Sequence, residues 1–279
     1  MISEEKIRYL EEKARQLRLS VVEMIGVGPV GHLGGSCSCA DIVAALYYYR
    51  MSFDPKNPDK VDRDRFLLSK GHAAPVLYAA LAEKGFFPKE ELLKLRKTGH
   101  FLQGHPDMNK VPGVDMSTGS LGHGISVAAG MALAAKIDNK DYRVYCLLGD
   151  GEAEEGIVWE AAMAAAHYKL DNLLVILDHN GLQIDGPVKD VMNLEPLPDK
   201  WRAFGWNVLE VDGHNIEELT ASLQVAKNFV GKPTIIIAKT VKGKGVSFME
   251  NQVGWHGNAP SAEQAEAALA ELKGGNSNG

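Results

Sequence analysis

Two stretches of this chain, Val144-Tyr145-Cys146-Leu147-Leu148 and Leu173 to Leu177, are apolar at every position, and a helical segment lies between them. A strand with one wet face alternates polar and apolar residues, so a run without polar positions must be covered on both faces. The signature recurs at Trp206 to Val211 and Thr234 to Ala238, with a helix expected from Ile216 to Phe229 between them. Phe66-Leu67-Leu68-Ser69 reads as a further short buried strand. Strands of this kind alternating with helices predict an α/β chain: a mainly parallel central sheet with helical layers on both faces. Further helices are expected over Ser3 to Ile25, capped by Ser3, and over Ala40 to Arg50, Ala73 to Lys84, Trp159 to His167 and Ser261 to Leu272. Between the first two lies a loop with Gly26, Gly28, Gly31, Gly34 and Gly35. Residues Thr98 to Gly119 have no steady period and read as a long loop, the kind that carries function in compact domains. No repeat or linker interrupts the pattern, which predicts one domain over residues 1–272 and a flexible polar tail over 273–279.

Composition excludes several classes of function. A net charge of −6 leaves no basic surplus to neutralise phosphates, which argues against a nucleic-acid partner. Cys37, Cys39 and Cys146 are odd in number, and Cys146 sits inside an apolar strand, so a reducing compartment fits better than a disulfide framework. With no apolar leader after Met1 and no apolar run near the ~18 residues of a membrane span, the expectation is a cytoplasmic protein without a membrane partner.

In open parallel sheets, ligands bind beyond the carboxyl ends of strands. Two such ends carry polar groups: Asp150 between Gly149 and Gly151, and Asp178 followed by Asn180. With one helix between the strands, Asp150 and Asn180 should meet, and a carboxylate with an amide oxygen suits Mg²⁺, which takes about six hard oxygens and keeps some for phosphate and water. The flanking glycines let backbone N–H groups approach a phosphate. Of the nine histidines, His32, His72, His105 and His256 lie in glycine-bounded loops, which suggests convergence on one pocket where imidazole can donate, accept and transfer protons. His100, His123, His167, His179 and His214 are read as ordinary surface or capping residues.

Gly149-Asp150-Gly151 followed about thirty residues later by Asn180 resembles the thiamine-diphosphate fingerprint. Trp159-Glu160-Ala161 and Gln183-Ile184-Asp185-Gly186 are similar to transketolases in particular, as are Ser69-Lys70-Gly71-His72-Ala73, Gly104-His105-Pro106 and Ser117-Thr118-Gly119-Ser120-Leu121-Gly122. Val241-Lys242-Gly243-Lys244-Gly245 leading to His256-Gly257-Asn258-Ala259-Pro260 completes the likeness, which extends from about Ser20 to Pro260. The resemblance implies a three-layer α/β/α thiamine-diphosphate fold. It implies that Asp150, Asn180 and the Leu182 carbonyl hold Mg²⁺ or another divalent cation, with Gly151 at the diphosphate and Gly119 and Leu121 at the thiamine portion. His72 and His256 would also touch the cofactor. His32 and His256 would handle the proton on the hydroxyl at the cleaved bond, His105 would hold the donor's terminal hydroxyl, and Glu155 matches the family glutamate at the interface with a second domain. The chain departs from the family at Leu33, where proline is usual, at Val30, where long members have a small polar residue, and at His123, where many have glutamine.

Full-length members are at least about twice as long and carry a pyrimidine-binding second domain, with a glutamate for the pyrimidine ring and arginines for the sugar phosphate. By resemblance this chain is therefore the N-terminal subunit of a split transketolase in an α₂β₂ heterotetramer. With its C-terminal partner subunit it would transfer a two-carbon ketol unit from a ketose phosphate to an aldose phosphate, a reaction of the pentose phosphate pathway. The rivals are a thiamine-dependent synthase, a 2-oxo-acid dehydrogenase α-subunit, and a non-catalytic module that keeps cofactor affinity. The histidine set and His256-Gly257-Asn258-Ala259-Pro260 speak against the first two.

Overall fold

The computed structural model describes residues 2–26 and 31–274; Gly28, Val30 and the last five residues of the expected tail lie outside them. Helix α1 (Glu4–Gly26) opens the chain, with Lys6 N donating to the Ser3 hydroxyl at 3.2 Å and Leu10, Ala14, Leu17 and Val21 forming its buried stripe. Two short helices follow, α2 (Leu33–Ser38) and α3 (Ala40–Ala45), and then a π-helical turn over Leu46–Arg50. The helix expected from Ala40 to Arg50 thus loosens half-way, and part of the glycine-rich loop is helical because Leu33 to Ser38 are all buried.

Strand β1 (Arg65–Leu68) leads to α4 (Ala74–Lys84), which starts with a proline and stops at Gly85, whose φ of 89° is left-handed. After the long loop come α5 (His123–Ile137), β2 (Val144–Gly149), α6 (Gly156–His167) and β3 (Leu173–His179). A small antiparallel pair, β4 (Leu182–Gln183) and β5 (Gly186–Pro187), projects after β3 and is followed by α7 (Val188–Val191) and α8 (Leu197–Ala203). The chain ends with β6 (Asn207–Asp212), α9 (Ile216–Asn228), β7 (Thr234–Lys239) and α10 (Ala262–Gly274). Asn215 caps α9 by accepting from Glu217 N and Glu218 N at 3.0 and 3.1 Å.

The strands form one five-stranded sheet in the order β1-β2-β3-β7-β6, with every pairing parallel. Alternate residues feed two separate cores, as a period of two requires. Tyr145, Leu147, Leu174, Ile176 and Ile236 face the layer of α1, α3, α4 and α9. Cys146, Leu148, Val175, Leu177, Ile235 and Ile237 face α5, α6 and α8. On that second side Trp159, Trp201 and Trp206 pack in sequence, with ring centroids 5.2 and 4.9 Å apart. Trp159 Nε1 donates to the Ala153 carbonyl at 3.0 Å. The three cysteines are buried free thiols. No helix among the described residues is long and apolar enough to cross a membrane.

Candidate active site

The register of the sheet places the site. Gly149 pairs with Asp178, so β2 and β3 end level with each other and their following residues share one edge. The Asp150 carboxylate accepts from Gly151 N at 2.9 Å and from Gly181 N at 2.5 Å, tying the two strand ends together. Asn180 Oδ1 accepts from Leu182 N at 3.1 Å, and the Leu182 carbonyl accepts from Lys242 Nζ, also at 3.1 Å. Asp178 plays a different part from Asp150. It is completely buried, pairs with Lys70, and accepts from Ser38 Oγ at 2.6 Å, from Thr240 Oγ1 and from Asn180 Nδ2. Its carboxyl is held below the ordinary range because this cation and these donors outweigh burial.

Except for Asp178, the candidate site residues read from the sequence line one cavity of about 370 Å³ at this edge. Asp150, Gly151, Asn180 and Leu182 form one end of the set, His32, His72, His105 and His256 another, and Gly119, Leu121 and the exposed Glu155 complete it. The ring of His32 lies 5.2 Å from that of His72, 5.5 Å from His256 and 6.5 Å from His105; His72 and His256 stack at 5.2 Å. Burial is the chief reason that all four imidazoles resist protonation: His32 is lowered to about 4, His256 to about 3 and His72 to about 2. His105 is lowered as well, by burial and then by the Arg96 guanidinium. At neutral pH the cavity therefore presents neutral rings that can each donate and accept. Gly119 fits here because its φ of 139° disfavours other residues and an added Cβ would stand 2.8 Å from the His105 ring. Tyr78 fixes the same loop by donating to the Gln103 and His105 carbonyls at 2.9 and 3.0 Å.

The remaining histidines do not line the cavity. His100 pairs with Glu91 at 2.8 Å and His214 with Asp41 at 2.7 Å, so both have structural partners.

Sequence reasoning missed two cations of the site. Lys70 and Lys242 are both buried and both line the cavity. Lys242 also reaches His256 Nδ1 at 2.9 Å, and burial with the nearby Lys70 charge lowers it to about 8. Both stand inside motifs in which the glycines and histidines are the more conspicuous residues. Glu152 was missed too. Its buried carboxylate accepts from Ser69 Oγ at 2.5 Å, Gly122 N at 2.8 Å and Gly149 N at 3.0 Å, holding the turn after β2 in place.

The donor set fits a divalent cation with a phosphate. Asp150 is buried and makes no direct ion pair among the described residues, and burial plus the neighbouring Asp178 raise its carboxyl to about 6. A hard dication at that carboxylate, with the amide oxygen of Asn180 and the carbonyl of Leu182, would relieve the penalty. No group of three or more His, Cys, Asp or Glu among the described residues could hold a metal ion, so a metal here needs these neutral oxygens and a ligand's own. The His32 Nδ1 is buried and has no hydrogen-bond partner among the described residues. A family model described as transketolase, thiamine diphosphate binding domain, matches residues 10–276.

The chain belongs to the transketolase family.

It is 48% identical over 272 residues to the 6-deoxy-6-sulfo-D-fructose transketolase subunit SqwG of Clostridium sp. (strain MSTE9), covering 98% of both chains. It is 45% identical over 267 residues to an apulose-4-phosphate transketolase subunit of Phocaeicola vulgatus, covering 96% of this chain and 95% of that one. Among solved structures, transketolase from Campylobacter jejuni superposes with a TM-score of 0.90 at 36% identity. That match covers 96% of this chain but only 43% of the transketolase chain. The chain thus spans nearly the whole of two transketolase subunits and less than half of a longer transketolase.

Proposed function

We propose that this chain is the diphosphate-binding subunit of a split transketolase, which acts with a partner subunit carrying the pyrimidine-binding half. The observation that carries the reading is the meeting of two donor sets in one cavity: the oxygens of Asp150, Asn180 and Leu182, and four neutral imidazoles. The relatives' names support the split, since the two of which 98% and 95% are matched are both named as subunits.

On this reading Asp150, Asn180 and the Leu182 carbonyl hold Mg²⁺, and Gly151 and Lys242 stand where the diphosphate would lie. When bound, thiamine diphosphate supplies the carbanion chemistry that breaks and remakes the carbon–carbon bond next to a ketone. The chain's residues supply orientation and proton handling. His32 and His256, neutral and adjacent, would take the proton from the hydroxyl at the bond that breaks and return it to the acceptor aldehyde oxygen. His105, on its clamped loop, would hold the terminal hydroxyl of the donor, while His72, most deeply buried of the four rings, borders the cofactor. Gly119 and Leu121 would flank the thiamine portion, and Glu155, exposed at the rim, would face the partner. The relatives' names span a sulfonated and a phosphorylated sugar, so the substrate class is a ketose with a terminal anion. We place the complex in sugar metabolism in the cytoplasm as an α₂β₂ assembly.

The test is transfer of a two-carbon unit by the chain reconstituted with its candidate partner, using several phosphorylated and sulfonated ketoses as donors and ribose phosphate as acceptor. Turnover dependent on thiamine diphosphate and Mg²⁺ is expected. Cofactor binding without transfer from any donor would instead leave a binding module.

A further inference from the structure

One histidine outside the cavity has the state of both ring nitrogens set by its partners. His214, in the turn between β6 and α9, has Nδ1 2.7 Å from Asp41 Oδ2, and its Nε2 accepts a 2.8 Å hydrogen bond from Val241 N. A peptide N–H can only donate, so Nε2 carries no proton, and the ring proton sits on Nδ1 and is donated to Asp41. Asp41 is held in turn by both terminal nitrogens of Arg18, whose Nε donates to the Cys37 carbonyl at 3.1 Å. Arg18 and Asp41 are both buried. A relay of polar contacts therefore runs from α1 through α3 and the β6–α9 turn into the segment that follows β7.

That segment carries a charge into the cavity. Lys242, next to Val241, reaches the Leu182 carbonyl and His256 Nδ1 at 3.1 and 2.9 Å. Its neighbours in the loop are fixed by Gly243 N donating to the Gly34 carbonyl at 3.0 Å and Asn251 N to the Lys242 carbonyl at 2.9 Å. The Val241 N–H depends on the His214 ring.

We propose that His214 is a positioning residue: held between Asp41 and Val241 as the Nδ1–H tautomer, it fixes the 240–245 loop and through it the Lys242 ammonium. The consequence for cofactor binding rests on the transketolase reading; the fixing of the loop does not. Several charges face the ring. Asp41 and Arg18 come from α3 and α1, Asp212 and Glu218 from its own turn and α9, and Lys239 and Lys244 from β7 and the loop beyond. His179 and Glu210 line the same crevice.

The experiment is hydrogen exchange of the amides from Thr240 to Phe248 in the chain without cofactor, read as protection factors at neutral pH. It is run on the wild type, on His214→Gln and on His214→Asn, with calorimetry of thiamine diphosphate and Mg²⁺ on each chain with its partner. Glutamine keeps an acceptor near the Nε2 position and cannot titrate; asparagine can still donate to Asp41 but is too short to reach Val241. Relative to the sheet amides, the asparagine variant should lose about tenfold in protection, the loss of one net hydrogen bond. The glutamine variant should keep wild-type protection, with cofactor affinity in the same order. An asparagine variant with wild-type protection and affinity overturns the proposal. A wild type that binds no thiamine diphosphate overturns the functional reading instead, and the exchange data still decide the role of His214.

Discussion

Asp150 and His256 put the two halves of the proposed chemistry to separate tests. The Asp150 carboxyl is raised to about 6 by burial and by Asp178, which marks a site built to receive positive charge. Asp150→Asn and Asn180→Ala should each weaken Mg²⁺-dependent binding of thiamine diphosphate by at least the roughly tenfold that loss of even an outer-shell partner brings. Calorimetry with the partner present measures this, and unchanged affinity in both variants would remove the metal assignment. His256→Ala should leave that affinity much less affected while lowering turnover by ~10²–10⁴-fold, the usual worth of a proton-transfer group. The same rings make stability depend on pH. His32, His72 and His256 titrate below the ordinary histidine value when folded, chiefly because they are buried. Between that ordinary value and the folded ones, the unfolded chain binds protons that the folded chain refuses, so stability is full above about pH 6.5 and declines as acid is added. Thermal unfolding of the chain from pH 7 to pH 5 should show a falling midpoint, with a shallower fall in His72→Asn.

The elements legible in the sequence were those whose burial is written in an unbroken apolar run. β2, β3 and β7 could be placed to within a residue or two because a strand covered on both faces leaves no polar position to mislead. α2 was hidden by Gly34 and Gly35, which read as loop. It forms because the segment is buried, and a Cβ on Gly34 would stand 2.9 Å from the Trp255 carbonyl, a closeness local sequence cannot announce. The histidines were legible because each sits beside glycine in a loop. Lys70 was not, since a lysine is ordinarily a surface residue and its partner, Asp178, is more than a hundred positions away. That pair joins β1 to β3, while Ser38 of α2 and Thr240 after β7 bind the same carboxylate. Asp178→Ala would leave the Lys70 charge buried and unpaired, and should cost about 3–5 kcal/mol in denaturant unfolding. A loss under about 1 kcal/mol would mean that Lys70 finds water or another partner instead.

At the scale of the whole molecule, Glu155 both lines the cavity and is exposed, and on the proposed reading the partner meets the chain there and closes over the thiamine portion. The purified chain with saturating cofactor and Mg²⁺ should therefore show no transketolase turnover and acquire it on mixing with the partner. Affinity for the cofactor and affinity for the partner should rise together, since coupling between two binding events is reciprocal. Clear turnover by the chain alone would defeat the split reading. The indole stack on the α6 side has a practical consequence of its own. Trp159, Trp201 and Trp206 are close enough for their electronic transitions to couple, and Trp159 is tethered to Ala153, three residues beyond Asp150. The protein thus carries an optical reporter wired to the turn that would hold the metal. Near-ultraviolet circular dichroism and tryptophan emission should change as that turn is loaded, letting occupancy be followed in real time without a label.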